Sequence, residues 1–315
     1  MGGSVVGAQT RQRPPATERP ATDRNVEDTS NDIVVVARRS GVPIWEVTTG
    51  NGTILMVGEI NDVPKSTPWR PARLEEATRR ADRVILGVSS KPSVGDVLRL
   101  ILKGGKVMKL PDDRVADDYL DPRLARRLHL LEDRYDVDYS RQNFLVTARD
   151  ILTQQLGFGH DVTFNATEVV RKVVKQARIP ARPVDTMRFR SVIDDLLQAP
   201  PESHIRCLRA AVDAADTGPE SVEERGRAWT RSDIPALSAN PIEIAIGRCW
   251  PWSSDELGVE LRRQWSVAID EAARTSGTIL AVIPIRVLTE RGGVLDHLRQ
   301  GGSDITGPSW DGQLR

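Results

Sequence analysis

The chain has 315 residues, enough for one large domain or two small ones with a sizeable buried core. Lysine plus arginine and aspartate plus glutamate both number 44, and aromatics make up 4%, so neither net charge nor a base-stacking surface points to nucleic acid. No apolar run approaches the roughly 20 residues that a membrane-spanning helix needs.

Near the start, Val6-Gly7-Ala8 before Gln9 fits the small-x-small pattern that precedes an export cleavage site. That reading puts the true start upstream and the protein in the periplasm or cell envelope. An ordinary disordered tail, with a cytoplasmic protein, is the alternative. Residues 9–31, rich in Pro, Arg, Thr, Asp and Asn, read as disordered or as a linker. The expected organisation is a tail or export remnant over 1–31 and one α/β domain over 32–315.

Asp32–Ala37 is short, apolar and β-branched, and reads as an edge strand or pre-strand segment. Two apolar runs, Ile44–Val47 and Thr53–Val57, flank Thr49-Gly50-Asn51-Gly52, a hairpin signal because Asn-Gly tolerates the positive φ of a tight primed turn. The second run ends in Gly58-Glu59-Ile60-Asn61, where a glycine allows a sharp turn at a strand end. A helix follows from Trp69 with Pro71 in its first turn, then a buried strand over Asp82–Leu86.

Ser93–Leu102 reads as a short helix and Val107–Leu110 as a short strand. The Gly104-Gly105-Lys106 between them lacks the remaining residues of a phosphate loop. Asp121-Pro122 is a helix start, with Leu124, Leu128 and Leu131 at helical spacing. Helical patterns cover Tyr139–Gln155, Thr167–Ala177, Arg190–Gln198 and Ser203–Ala214, and Arg182–Asp185 reads as a strand ending in a carboxylate. Glu220–Trp229 is helical and continues into Arg231–Leu237. Glu256–Arg274 carries Leu257, Leu261, Trp265, Ala268 and Ile269 on one face, a core face. Thr278–Pro284 is an apolar strand, followed by a closing helix after Gly292 and a last strand near Thr306.

The Pro43-Ile44-Trp45 hairpin, the strand ending at Gly58, and the block Ala228-Trp229-Thr230-Arg231-Ser232-Asp233 resemble the TraB/GumN family, which includes the TIKI metalloproteases. The resemblance implies a mixed central sheet wrapped by helices, or two sheets related as half-repeats, with the N-terminal hairpin unit and the C-terminal strand meeting at the sheet. It also implies a metal site built from two Gly-x-x-His motifs and a Glu, and metal-dependent peptidase activity. Here Asn61 stands at the first His, Gly87 at about the Glu, and Arg286 of Ile283-Pro284-Ile285-Arg286 at the second His. Imidazole and carboxylate donate lone pairs to a cation and amides do so more weakly, so Asn61 could contribute a carbonyl oxygen; guanidinium cannot, and its charge repels a cation.

The pocket positions singled out are therefore Gly58, Glu59, Asn61, Gly87, Asp185 and Arg286, with no catalytic residue and no metal or other cofactor expected. The alternative is a divalent metal on a rebuilt carboxylate site from Glu59, Asp62 and Asp185, giving a metal-dependent peptidase or hydrolase. In the main reading the chain is a catalytically degenerate scaffold that acts by binding an unknown protein or small molecule, and Arg286 pairs with a carboxylate that has no metal partner.

His129, His160, His204 and His297 show no metal-ligand spacing and read as surface or satisfied residues. Trp229 reads as core. Cys207 and Cys249 read as buried free thiols, with a disulfide as the alternative.

Overall fold

The computed structural model describes residues 1–2, 32–87, 89–90, 108–111, 113–184, 186–187, 198–249 and 255–310. The expectations for 9–31, for the helix at Ser93–Leu102, for most of the helix at Arg190–Gln198 and for Asp185 lie outside the described residues.

Residues 32–38 form a helix, α1, not a strand. Ile33, Val34, Val36 and Ala37 are buried while Asp32, Val35 and Arg38 are exposed. That i, i+1, i+3, i+4 pattern is one face of a helix, so tertiary burial overrides β-branched propensity. Ser40 Oγ donates to the Ala37 carbonyl at 2.6 Å, and Gly41 leaves the helix at φ 83°.

The hairpin follows as β1 (Ile44–Thr48) and β2 (Gly52–Glu59), antiparallel with Trp45 opposite Met56. Its turn is built differently from expectation. None of Gly50, Asn51 and Gly52 takes a left-handed φ; instead Thr49 Oγ1 accepts from Asn51 N and Gly52 N. After β3 (Val63–Pro64), helix α2 (Pro71–Arg80) leads to β4 (Arg83–Leu86). Ser89–Ser90 forms β5. Around Lys109 there is only an isolated bridge to Gln142.

A helical layer comes next. Helix α3 (Pro122–Tyr135) is capped by Asp121, whose side chain accepts from Arg123 N and Leu124 N. Helix α4 (Phe144–Asp150) begins later than the apolar pattern suggests, because Asn143 caps it, and passes into a π turn over Ile151–Gln155. Then come β6 (Val162–Thr163), α5 (Ala166–Ala177), β7 (Ala181–Pro183) and β8 (Thr186–Met187). Helices α6 (Ile205–Thr217), α7 (Glu220–Thr230), α8 (Ile234–Ala239), α9 (Pro241–Arg248) and α10 (Asp255–Ala273) precede β9 (Gly277–Pro284), α11 (Ile285–Thr289), α12 (Val294–Gln300) and β10 (Ile305–Thr306).

The central sheet is six-stranded, in the order β10-β1-β2-β9-β4-β7. The hairpin and β10 are antiparallel, while β2, β9, β4 and β7 run parallel. The N- and C-terminal units share this one sheet: β2 and β9 pair along their whole length, from Gly52 opposite Gly277 to Glu59 opposite Pro284. Both strands are buried along nearly all of their length, as expected for parallel strands covered on both faces.

Among the described residues, buried apolar side chains form two clusters. One surrounds the sheet and includes Trp45, Trp229 and Trp265. The other lies among α3, α4, α6 and α9 and includes Leu128, Phe144, Leu208 and Ile242. Within the second, Cys207 and Cys249 are joined as a disulfide, correcting the free-thiol reading. Their thiols meet because α6 and the end of α9 pack side by side, a proximity that spacing of 42 residues does not reveal. In the chain-entropy picture a loop of that size is worth about 4 kcal/mol.

Candidate functional site

The carboxyl ends of parallel strands are where open α/β sheets place their chemistry. Gly58 of β2 lies opposite Ile283 of β9, and Ile85 of β4 lies opposite Ala281. Continuing the second register by two residues brings Gly87 level with Ile283. Gly58 and Glu59 on β2 and Gly87 just past β4 thus share one end of the sheet, with Asn61 three residues beyond Gly58 and Arg286 three residues beyond Ile283.

Gly58 is there for space. Its φ is not left-handed, and a Cβ would lie 2.6 Å from Ile285 Cδ1 and 2.9 Å from Trp45 Cζ3. Gly87 has nothing within 4 Å of where a Cβ would stand, so it leaves this end of β4 bare.

Arg286 is committed to carboxylates. Its Nη1 donates to the Glu243 backbone carbonyl at 3.0 Å and lies 4.0 Å from Glu243 Oε1, and its Nη2 pairs with Glu290 Oε1. Glu243, on α9, also accepts from Arg225 Nε at 2.7 Å in a pair whose side chains are almost wholly buried. Arg225, on α7, donates through Nη1 to the backbone carbonyl of Asn61 at 2.8 Å, and its guanidinium lies over Phe158. Glu290 Oε2 is 3.4 Å from Arg262 on α10. An alternating chain, Arg225–Glu243–Arg286–Glu290–Arg262, therefore runs across the strand ends and joins α7, α9, α11 and α10. Gly247 makes room for it, since a Cβ there would overlap the Arg286 guanidinium.

This donor set does not fit a divalent metal held by imidazole and carboxylate. Asn61 is exposed and offers an amide oxygen, a weaker ligand than imidazole, while its backbone carbonyl is taken by Arg225; Gly87 offers no ligand; Arg286 brings a fixed positive charge. Among the described residues no three His, Cys, Asp or Glu side chains are grouped to hold a metal.

Glu59 is buried at the end of β2 but faces a helix. Its Oε1 accepts from Thr167 N at 2.7 Å and its Oε2 from Thr167 Oγ1 at 2.8 Å, so it caps the first turn of α5 beside the Asn165–Glu168 capping box. Burial pushes its pKa up, against the two Thr167 hydrogen bonds and the Arg171 charge that pull it down. Asp62 takes a left-handed φ of 49° in the following turn. Asp185 lies outside the described residues.

The Trp229 block is a joint. Trp229 is buried and packs edge-on against Trp69, with 5.4 Å between ring centroids. Ser232 has a φ of 55°, which breaks the helix expected to run on to Leu237, and Asp233 caps α8 by accepting from Ala236 N.

His160 is exposed, two residues beyond the Phe158 that lies against the Arg225 guanidinium. His129 lies 3.1 Å from Asp117 and His297 3.0 Å from Asp270, both exposed pairs, while His204 is buried and its pKa is lowered by burial.

Among the residues that sequence reasoning missed are Arg225, Glu243, Glu290 and Thr167. Two had a readable signal: Arg225 precedes Trp229 by four residues on one helix, and Glu290 follows Arg286 by four. Glu243 and Thr167 had none, because their partners are far away in sequence.

The model of the TraB/PrgY/gumN family matches residues 43–307, most of the chain. No curated protein and no solved structure gives a match.

Proposed function

This chain belongs to the TraB/PrgY/gumN family, and from that premise we propose that it is a catalytically degenerate member, a scaffold that acts by binding and hydrolyses no peptide. The observation that carries the proposal is the ion-pair chain. At the strand ends Arg286 is spent on Glu243 and Glu290, and Arg225 on Glu243 and the Asn61 carbonyl. A catalytic metal of the His/Glu kind needs imidazole and carboxylate lone pairs there, and these positions supply an amide, no side chain and a guanidinium. Glu59, one of the carboxylates of a rebuilt site, has both oxygens engaged by Thr167. The Cys207–Cys249 disulfide supports a place in an oxidising compartment such as the cell envelope. Among the described residues no helix is long and apolar enough to cross a membrane.

Metal content tests the reading. The protein is equilibrated with zinc, manganese or cobalt and desalted, and bound metal is quantified by mass spectrometry alongside a peptidase assay. The expected result is metal far below one per chain and no metal-dependent cleavage. One tightly held metal per chain, lost in Glu59→Ala or Asp185→Ala, together with chelator-sensitive cleavage, would overturn the proposal.

A further inference from the structure

Helix α9 has eight residues, below the roughly 12 to 15 at which an isolated helix becomes even marginal in water. Its place depends on tertiary contacts: Ile242 and Ala245 are buried in the second core cluster beside α6, and both ends are held. At the N-terminus Asn240 Oδ1 accepts from Ile242 N and Glu243 N, and Asn240 Nδ2 donates to the Ser221 carbonyl of α7. At the C-terminus Cys249, the residue after the last helical one, is bonded to Cys207 of α6. Between these anchors α9 carries Glu243, which pairs with Arg225 and lies beside Arg286, and Gly247, which lies against the Arg286 guanidinium. Cys207 is buried, whereas Cys249 is half-buried.

We propose that the Cys207–Cys249 disulfide is a redox-sensitive clamp on α9 that keeps Glu243 and Gly247 seated against Arg286, so that its reduction loosens the ion-pair chain at the strand ends while the sheet stays formed. The reductant is a dithiol. Its thiolate attacks the Cys249 sulfur, Cys207 leaves as thiolate and takes up a proton, and the second thiol of the reductant then displaces Cys249, also released as a thiol. Two electrons pass to the protein and the dithiol becomes a disulfide. The inference does not depend on whether the chain hydrolyses peptides.

Hydrogen exchange of the full chain, read by mass spectrometry with and without dithiothreitol, tests it. The expected result is that protection of residues 241–249 and 285–290 falls about tenfold further than protection of β2 and β9 on reduction. Cys249→Ser should give the same pattern without reductant, and the comparison on the unsubstituted protein stands if that variant fails to fold. Unchanged protection of 241–249 on reduction would overturn the proposal. So would a fall shared equally by the whole sheet, which would make the disulfide a global staple, or alkylation of both cysteines in protein never exposed to reductant.

Discussion

Trp229 Nε1 donates a hydrogen bond of 2.8 Å to the carbonyl oxygen of Gly58, inside the core. Two segments 171 residues apart, the strand end and the Ala228-Trp229 block, are thus tied by one bond. Trp229→Phe keeps most of the ring but leaves that buried carbonyl without its donor. It should cost about 1 to 3 kcal/mol in urea denaturation followed by circular dichroism. A loss indistinguishable from zero would mean that another donor replaces the indole.

Ser232 occupies a left-handed backbone conformation that an L side chain adopts at a cost. Ser232→Gly should remove that cost and raise stability by about 1 kcal/mol, net of the added freedom of the unfolded chain. A thermal melt shifted upward checks it. A downward shift would assign the serine hydroxyl a stabilising contact.

Glu243 serves two arginines, one of them almost fully buried with it. Glu243→Ala leaves Arg225 buried without its carboxylate and should destabilise by about 3 to 5 kcal/mol. Gly247→Ala should cost about 1 to 3 kcal/mol by forcing the Arg286 guanidinium aside, and far less in an Arg286→Ala background. Equal penalties in both backgrounds would show that the crowding is with something other than Arg286.

Glu59 is a carboxylate whose folded pKa lies above its ordinary value of 4.5, chiefly through burial. The folded state therefore holds this proton more tightly than the unfolded one. Its stabilising contribution is present below pH 4.5 and is lost as pH rises through the folded pKa. Glu59→Gln keeps an acceptor for Thr167 N and cannot ionise. The difference in unfolding free energy between wild type and variant, measured from pH 4 upward, should move in favour of the variant as pH rises. A difference that is flat with pH, or runs the other way, would show that the Thr167 hydrogen bonds outweigh burial.

Local pattern was enough for much of the fold. The alternating runs around Thr49–Gly52, the Asp121-Pro122 start and the stripe through Leu261, Trp265 and Ile269 each declare an element because burial and capping act within a few residues. The same holds for the residues at the strand ends: Asn61, Gly87 and Arg286 can be read from the sequence as lacking the imidazole and carboxylate of a His/Glu metal set. Tertiary structure decided what long-range pairing controls. It turned the β-branched run at 33–36 into a helix because one face could be buried. It set β2 beside β9 in parallel register across more than 200 residues of chain, and so brought Asn61 and Arg286 to one end of the sheet. It also chose the partners of Arg286, Arg225 and Glu59, and joined Cys207 to Cys249, because a charge or thiol on one element carries no local mark of the distant group that will lie 3 Å from it.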